Sequence, residues 1–312
     1  KPDFVAFSIM SGSHHWALNI ARQIKKAYGI TNIFGGPHPT YFPDFIEEKD
    51  VDIIVRGEGE KACLELMDRF NNTKDYLDVK NLWVSRDGQI HKNEVRCLDE
   101  DLDEYPFPDR ELYVDLKGKI DLSVRNVIAS RGCPWNCTFC FNDSMKNLYK
   151  NKGKYVRIRN IDKVIEETKT LRDTAKTKTI YFVDDVFGLN SGWLYEFLPR
   201  YKHEIGIPFV CLIRADVICK NEKYAQYLAD YGCISACFGV ESGNEYIRNS
   251  ILNKGVSNDE IYKAAGRLHK AGVKFRTFNI LGLPGETLED AFCTVKINID
   301  IKTDYPWCSI FM

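Results

Sequence analysis

No apolar run in this 312-residue sequence approaches the roughly 18 to 20 residues that a membrane-spanning helix needs, and no stretch resembles a signal peptide. No membrane span is therefore expected, and the cytoplasm is the expected compartment. Neither sign of charge is in excess: 43 Lys and Arg stand against 44 Asp and Glu, a formal net charge of -1. Without a broad cationic field the chain is not expected to take nucleic acid as a general partner. An initiator Met is also absent, and "KPDFVAFSIMS" goes straight into a β pattern, so the sequence reads as starting inside a domain. What it has in quantity is hydrophobic residues, 44%, enough for the cores of one large α/β domain and a smaller one.

Cysteine is plentiful, at eleven, but a fourth is missing where three others crowd together. "SRGCPWNCTFCFN" places Cys133, Cys137 and Cys140 within eight residues, directly after the apolar run "VRNVIA". The remaining cysteines are mostly scattered through expected strands and helices and read as small buried hydrophobes in a reducing compartment. Read alone, the stretch permits three chemistries. A structural zinc site usually needs four Cys or His ligands, and no second C-x-x-C pair or nearby His completes one. A Cys137–Cys140 redox pair leaves Cys133 unexplained. A cubane iron–sulfur cluster takes one thiolate per iron, so three thiolates hold it and leave one iron open for something that is not protein. Gly132, Pro134 and Asn136 mark a loop, which argues against three packed core cysteines.

Hydrophobic periodicity divides the chain into three parts. Residues 1–75 alternate strand and helix: "DFVAFSIM", a helical spacing of Ala17, Leu18, Ile20, Ala21 and Ile24 ending at Gly29, then strands in "NIFGGPHPT" and "VDIIVRGEGE". This predicts a Rossmann-like parallel sheet with ligand-binding turns at the carboxyl ends of its strands, where Ser8, Ser11, Gly12, Gly35, Gly36, Gly57 and Glu58 fall. Residues 76–125 read as a hairpin turning at Asp87-Gly88 and an acidic, proline-bearing connector, "LDEDLDEYPFPDREL". From 126 to 312, strands are predicted near 126–130, 179–184, 208–214, 234–241, 273–281 and 306–311. Helices are predicted near 160–174, 191–204, 221–231, 257–271 and 286–300. Six such units predict an α/β fold, a partial (β/α)6 TIM-like barrel, with its chemistry at the carboxyl ends of the strands. Those ends carry Cys133 onward, Asp184, Asp185, Arg214, Glu241, Ser242 and Asn279.

C-x-x-x-C-x-x-C at the end of the first barrel strand, with Phe139 just before the third Cys, resembles the radical S-adenosylmethionine (SAM) superfamily. "IYFVDDVF", "ACFGVESGN" and "FNILGLPGET" resemble later strands of one large subgroup. The resemblance implies that Cys133, Cys137 and Cys140 hold a [4Fe-4S] cluster whose open iron binds SAM. An electron from the cluster would cleave the sulfonium and release a 5′-deoxyadenosyl radical. It also implies SAM-binding roles for Phe139, Asp184, Asp185, Arg214, Glu241, Ser242 and Asn279. Glu241 with Ser242 suits the ribose hydroxyls or the methionine ammonium, and Arg214 suits the carboxylate. Glu286, in "ILGLPGET", lies near a helix start and reads equally as a first-turn acid.

The amino-terminal part resembles the cobalamin-binding domains of cobalamin-dependent members, which share "GGPHPT" and "RGEGE". Ser8-Ile9-Met10 and Gly35-Gly36 match two of three segments of the wider cobalamin-binding family; the third, Asp-x-His-x-x-Gly, is absent, and the domain is expected to be truncated at its amino end. His14, His15 and His38 read as surface or capping residues rather than axial cobalt ligands. The implied activity is that of a radical SAM enzyme, with cobalamin-dependent methyl transfer to an unactivated carbon first. The alternatives are a cyclase or rearrangement enzyme of the porphyrin-ester type, or a methylthiotransferase with a vestigial amino-terminal module. Cys63 and Cys97 are too few for the second cluster that methylthiolation uses. A small-molecule substrate and a reducing partner such as flavodoxin or ferredoxin are implied; a plain electron carrier leaves the open iron without a purpose.

Overall fold

The computed structural model describes residues 2–110, 112, 122–174 and 177–311. The chain falls into two compact units, one of Lys1–Asp99 with Ser144–Lys154, the other of Glu100–Asp143 with Tyr155–Met312. No helix among the described residues is long and apolar enough to cross a membrane.

The first unit opens with β1 (Phe4–Ser8), α1 (His14–Tyr28), β2 (Thr31–Gly35) and the short α2 (Pro37–Tyr41). β3 (Ile53–Val55), α3 (Glu60–Asn71) and the hairpin of β4 (Leu82–Arg86) and β5 (Gln89–Lys92) follow. The sheet order is β1-β2-β3-β4-β5, parallel across the first three strands and antiparallel beyond β3. Neighbouring residues of one strand face opposite layers. Phe34 packs with Ala17, Leu18 and Ala21 of α1, whereas Ile33 packs with Ala62 and Leu66 of α3. α1 stops where Gly29 takes the left-handed φ of +61° and returns its N–H to the Lys25 carbonyl.

The boundary predicted after residue 75 moves. Leu82 and Val84 of the hairpin complete the α3-side core, so the hairpin is the antiparallel end of the first sheet and not part of a linker. The first unit runs to Asp99. In the predicted connector, residues 111 and 113–121 lie outside the described residues.

The second unit's first strands are β6 (Val124–Val127) and the two-residue β7 (Ser130–Arg131); α4 (Phe141–Leu148), which comes next in the chain, belongs from Ser144 onward to the first unit. Then follow β8 (Arg157–Ile158), α5 (Ile161–Thr174), β9 (Thr179–Phe182), α6 (Ser191–Glu204) and β10 (Phe209–Leu212). The remainder is α7 (Ala215–Lys220), α8 (Tyr224–Asp230), β11 (Cys233–Glu241), α9 (Asn258–Lys270), β12 (Lys274–Leu281), α10 (Leu288–Asp300) and β13 (Tyr305–Ile310). Helices α4 and α7 and the β7–β8 pair have no counterpart in the periodicity. The main sheet has the order β6-β9-β10-β11-β12-β13, parallel throughout and unclosed among the described residues, a partial barrel.

Alternation then sorts each strand. Ile180, Phe182, Phe209, Cys211, Ala236, Phe238 and Phe275 pack with Val164, Leu194, Phe197, Ile261 and Leu268 of the outer helices. Burying each large apolar side chain there contributes about 1.5 to 3 kcal/mol. Their strand neighbours Tyr181, Leu212, Cys237, Gly239, Glu241, Arg276, Phe278 and Ile280 therefore face the concave side. α9 and α10 each start on a reciprocal cap, Ser257 with Glu260 and Thr287 with Asp290, which sets where β11 and β12 hand over to helix.

Candidate functional site

The three-cysteine loop joins β7 to α4, and its root is bolted down by polar contacts. Gly132 sits at φ +90°, and the place a β-carbon would take is filled by the Tyr155 carbonyl, so a side chain has neither the backbone angle nor the room. Its N–H donates to Asp185 Oδ2 at 3.1 Å, and Asn142 Nδ2 donates to Asp185 Oδ1 at 2.8 Å. Asn142 Nδ2 also reaches Cys140 Sγ at 3.5 Å and is itself fixed by the Tyr155 hydroxyl on its Oδ1 at 2.6 Å. Asp184 accepts from Ala129 N–H at 3.2 Å and from Ser130 Oγ at 2.5 Å. Burial pushes the Asp184 carboxyl up to about 6, against the hydrogen bonds that lower it. Both predicted ligand-reading carboxylates are thus occupied by the loop itself.

Cys137 is buried, while Cys133 and Cys140 are partly exposed. Arg214, at the end of β10, is buried beside them. Its Nε donates to Asp216 Oδ1 at 2.9 Å, its Nη2 to the Lys254 carbonyl at 2.8 Å, and its Nη1 lies 3.8 Å from Cys137 Sγ. The guanidinium stands 4.1 Å over the Trp135 ring, a contact that holds charge and loop together. Glu241 ends β11 at the left-handed φ of +61°, and its Oε1 receives Lys254 Nζ at 2.8 Å. Lys254 drew no attention in the sequence because it lies in an irregular turn thirteen positions past Glu241.

Two of the expected residues turn away. The Ser242 hydroxyl caps the next turn by accepting Asn244 N–H at 3.2 Å, and Ser242 is fully buried. Asn279 stands on the helix side of β12: its Nδ2 donates to Thr277 Oγ1 and to the Trp307 carbonyl, and its Oδ1 accepts from Asn298 of α10 at 2.8 Å. There it lines a cavity of about 480 Å³ with Leu281, Thr294 and Ile299. The strand's residue on the loop side is Ile280, which, like Phe139, packs against the buried cluster of Ile247, Leu252 and Leu283. Strand parity, counted from the core residue Phe275, was the signal that places Ile280 there. Glu286 stays at its own turn, accepting from the Gly282 and Leu283 amides. Gly243 is glycine because it lies on the backbone of Cys293 in α10.

In the first unit, Ser8, Ser11, Gly12, Gly35, Gly36, Gly57 and Glu58 lie at or just beyond the ends of β1, β2 and β3. Gly36, at φ +91°, lies so close to Ile9 that a β-carbon would stand 2.9 Å from its N and O. Gly57, at φ +74°, has its open face filled by the Tyr149 hydroxyl, which accepts the Glu58 N–H at 2.8 Å. The Gly57 N–H donates to Thr40 Oγ1 at 3.0 Å. Gly12 has nothing within 4 Å of the β-carbon position. His38 binds Ser11 Oγ through Nδ1 at 3.1 Å and stacks on His14, with centroids 4.0 Å apart. Burial first, then the His14 and His15 imidazoles, lower its pKa.

The B12 binding domain model matches residues 1–67, and the Radical SAM superfamily model matches residues 127–293, more than half of the chain. The chain belongs to the radical SAM superfamily. An uncharacterized methyltransferase of Pyrococcus horikoshii is 30% identical over 97% of this chain and 65% of its own length. Cytidylyl-2-hydroxyethylphosphonate methyltransferase of Streptomyces wedmorensis is 24% identical over 93% of this chain and 60% of its own. The chain therefore spans less than two thirds of either relative. The fold matches that of the radical SAM methyltransferase TsrM of Kitasatospora setae, in a structure with cobalamin and a [4Fe-4S] cluster bound. The TM-score is 0.79 at 15% identity, covering 99% of this chain and 64% of that one.

The donor set of the radical SAM loop fits an iron–sulfur cluster. It offers three thiols on one loop, with Arg214 and Asn142 placed to donate to two of the sulfurs. Among the described residues no three Cys, His, Asp or Glu side chains converge as they would on a single metal ion. A cubane does not need that convergence, because each thiolate takes its own iron. The fit of the first unit to a corrin is partial: Gly12 is open, whereas Gly36 and Gly57 are closed by the chain's own atoms.

Proposed function

We propose that the chain is the catalytic portion of a radical SAM enzyme that cleaves SAM reductively to generate a 5′-deoxyadenosyl radical. With cobalamin on the first unit, it would transfer a methyl group to an unactivated carbon of a small molecule. The observation that carries this reading is the loop of Cys133, Cys137 and Cys140 at the carboxyl end of a parallel sheet, with Arg214 Nη1 directed at Cys137 Sγ. The name of the Pyrococcus horikoshii relative supports methyl transfer, and the cobalamin in the TsrM structure supports the second cofactor.

When bound, a cluster held by three thiolates supplies an open iron for SAM and the electron that breaks its sulfonium bond. The residues do the rest. Cys133, Cys137 and Cys140 would hold the cluster, and Arg214 and Asn142 donate toward two of the sulfurs. Asp184 and Asp185 keep the loop at the strand ends, and Glu241 offers its carboxylate to the ribose hydroxyls or the ammonium of SAM. Phe139 and Ile280 form an apolar wall beside the loop. A one-electron donor such as a flavodoxin or ferredoxin belongs to this reading, as does a cytoplasmic setting.

Anaerobic reconstitution is expected to load about four irons per chain, with the broad visible absorbance of a cubane, and Cys137→Ala to lose both. With SAM, cobalamin and a strong reductant, 5′-deoxyadenosine and S-adenosylhomocysteine are both expected. No iron uptake by the wild type overturns the cluster assignment; 5′-deoxyadenosine alone overturns methyl transfer and leaves plain radical chemistry.

A further inference from the structure

Between β11 and α9 the chain makes an excursion, residues 242–257, that returns to the cluster loop. It contains a π-helical turn, Ile247–Ile251, and two left-handed residues, Asn253 at φ +49° and Gly255 at φ +66°. Arg248, fully buried inside it, donates to the carbonyls of Ser242 (2.8 Å) and Val256 (2.7 Å) and to Asn258 Oδ1 (2.5 Å), so its two ends are tied together. Three hydrogen bonds then clasp the cluster loop: Thr138 N–H to the Leu252 carbonyl at 3.0 Å, Thr138 Oγ1 to the Ile251 carbonyl at 2.8 Å, and Asn253 Nδ2 to the Asn136 carbonyl at 2.9 Å. The next residue is Lys254.

Lys254 and Glu241 are both buried, their side chains 8% exposed each, and they meet at 2.8 Å. A buried ion pair is stiff, because separating it leaves an uncompensated charge in a poorly solvated place. Four further features point this pair to one position. Glu241 is a non-glycine residue with positive φ at a register shift of β11, which turns its side chain back along the strand. Gly239 lies beneath it, and a β-carbon there would run into the Glu241 carboxylate and stand 2.7 Å from Lys254 Nζ. The Lys254 ammonium also lies 5.8 Å over the Phe139 ring, the neighbour of Cys140. On the backbone side, the Lys254 carbonyl is held by Arg214, whose other nitrogen faces Cys137.

We infer that Lys254 is a positioning residue for the SAM site: it holds the Glu241 carboxylate in place and, through the 251–254 turn, makes that place depend on the set of the cluster loop. The inference rests on the proposed function, since Glu241 is the group offered to SAM. Thr138, Asn253 and Lys254 form one rigid link, so a shift of the loop carries the ammonium with it, and the carboxylate follows the ammonium. Arginine at 254 retains a charged donor; methionine retains the stem and removes the charge.

The test uses the reconstituted 312-residue chain and two readouts: calorimetric affinity for S-adenosylhomocysteine, and the change in the reduced cluster's electron paramagnetic resonance spectrum on adding SAM. Lys254→Met is expected to keep its iron, to bind S-adenosylhomocysteine about tenfold more weakly, and to lose most of the spectral change. Lys254→Arg is expected to recover most of both. Asn253→Ala, an exposed change that leaves the ion pair intact, is expected to weaken affinity by about threefold with unaltered iron content. It keeps the idea testable should Lys254→Met fail to fold. Wild-type affinity and spectra in Lys254→Met, or in Asn253→Ala where Lys254→Met is lost, overturn the positioning role. A wild type that takes up iron yet shows neither binding nor a spectral change overturns the underlying SAM assignment as well.

Discussion

The cluster loop of the second unit and the glycine turns of the first unit both lie at the carboxyl ends of parallel strands, and both drew a ligand-binding reading. Their side chains are used differently. In the cluster loop, Cys133 and Cys140 keep partly exposed sulfurs, and the buried groups around them, Arg214 and Asn142, direct donors at thiols. In the glycine turns, the space that the missing side chains leave is largely taken by the chain itself: Ser8 and Ile9 against Gly36, Tyr149 against Gly57. A glycine at a strand end says that something approaches closely, and a ligand and a tyrosine satisfy it equally. Three thiols in a loop have far fewer structural uses, so that signal is the narrower of the two.

The largest expected effect separates the filled turns from the open one. Gly57→Ala forces a side chain at φ +74° onto the Tyr149 hydroxyl and should cost the first unit about 2 to 4 kcal/mol. Gly12→Ala, with nothing within 4 Å, should cost about 0.5 kcal/mol or less. Urea unfolding of the two variants, followed by a probe in the first unit such as Trp83 fluorescence, decides the matter. Similar small costs for both would mean that the Gly57 face is open after all, and that the two regions of the molecule are more alike than the structure makes them.

Much of this was readable in advance, and the failures have physical causes. Strand–helix alternation located β9 to β13 and α9 and α10 within a few residues, because each strand buries one face and each helix one stripe. The hairpin was misplaced because the polar, proline-bearing stretch after it looks like a boundary; the core partners of Leu82 and Val84 come from β3 and α3, distant in sequence. Asn279 was read as a mouth residue from its position at a strand end, whereas the face it occupies follows from counting in twos from Phe275 to Thr277 to Asn279. Lys254 and the clasp were beyond reach: a π-turn and two left-handed residues carry no periodicity, and their partners at Asn136 and Thr138 are more than a hundred positions away.

A smaller effect tests the same turn from its other side. Tyr149→Phe removes the acceptor of the Glu58 N–H and is expected to destabilise the first unit by about 1 to 2 kcal/mol. It also removes the oxygen that a side chain at 57 would strike. Gly57→Ala introduced into Tyr149→Phe should therefore cost less than it does in the wild type, a coupling that a double-mutant cycle reads directly. Additive costs would show that the strain at Gly57 is all backbone and that Tyr149 is not the filler.

The smallest effect lies at the root of the cluster loop. The Asp184 carboxyl, raised to about 6 by burial, binds its proton more tightly folded than unfolded, where it lies near 3.8. Its contribution to stability is therefore fully present below the unfolded value and is lost as pH rises through 6, the reverse of a salt-bridged carboxylate. For the cluster-free protein, lowering the pH from 7 to 5 should stabilise the second unit by about 1 kcal/mol relative to Asp184→Asn, which cannot titrate there. Following the second unit's urea midpoint at both pH values in the two proteins measures this. An equal pH response in both would mean that the hydrogen bonds from Ala129 and Ser130 outweigh burial and hold Asp184 charged throughout that range. The loop root would then carry a negative charge beside the three cysteines, and the electrostatic case for Arg214 as the loop's compensating cation would be stronger, not weaker.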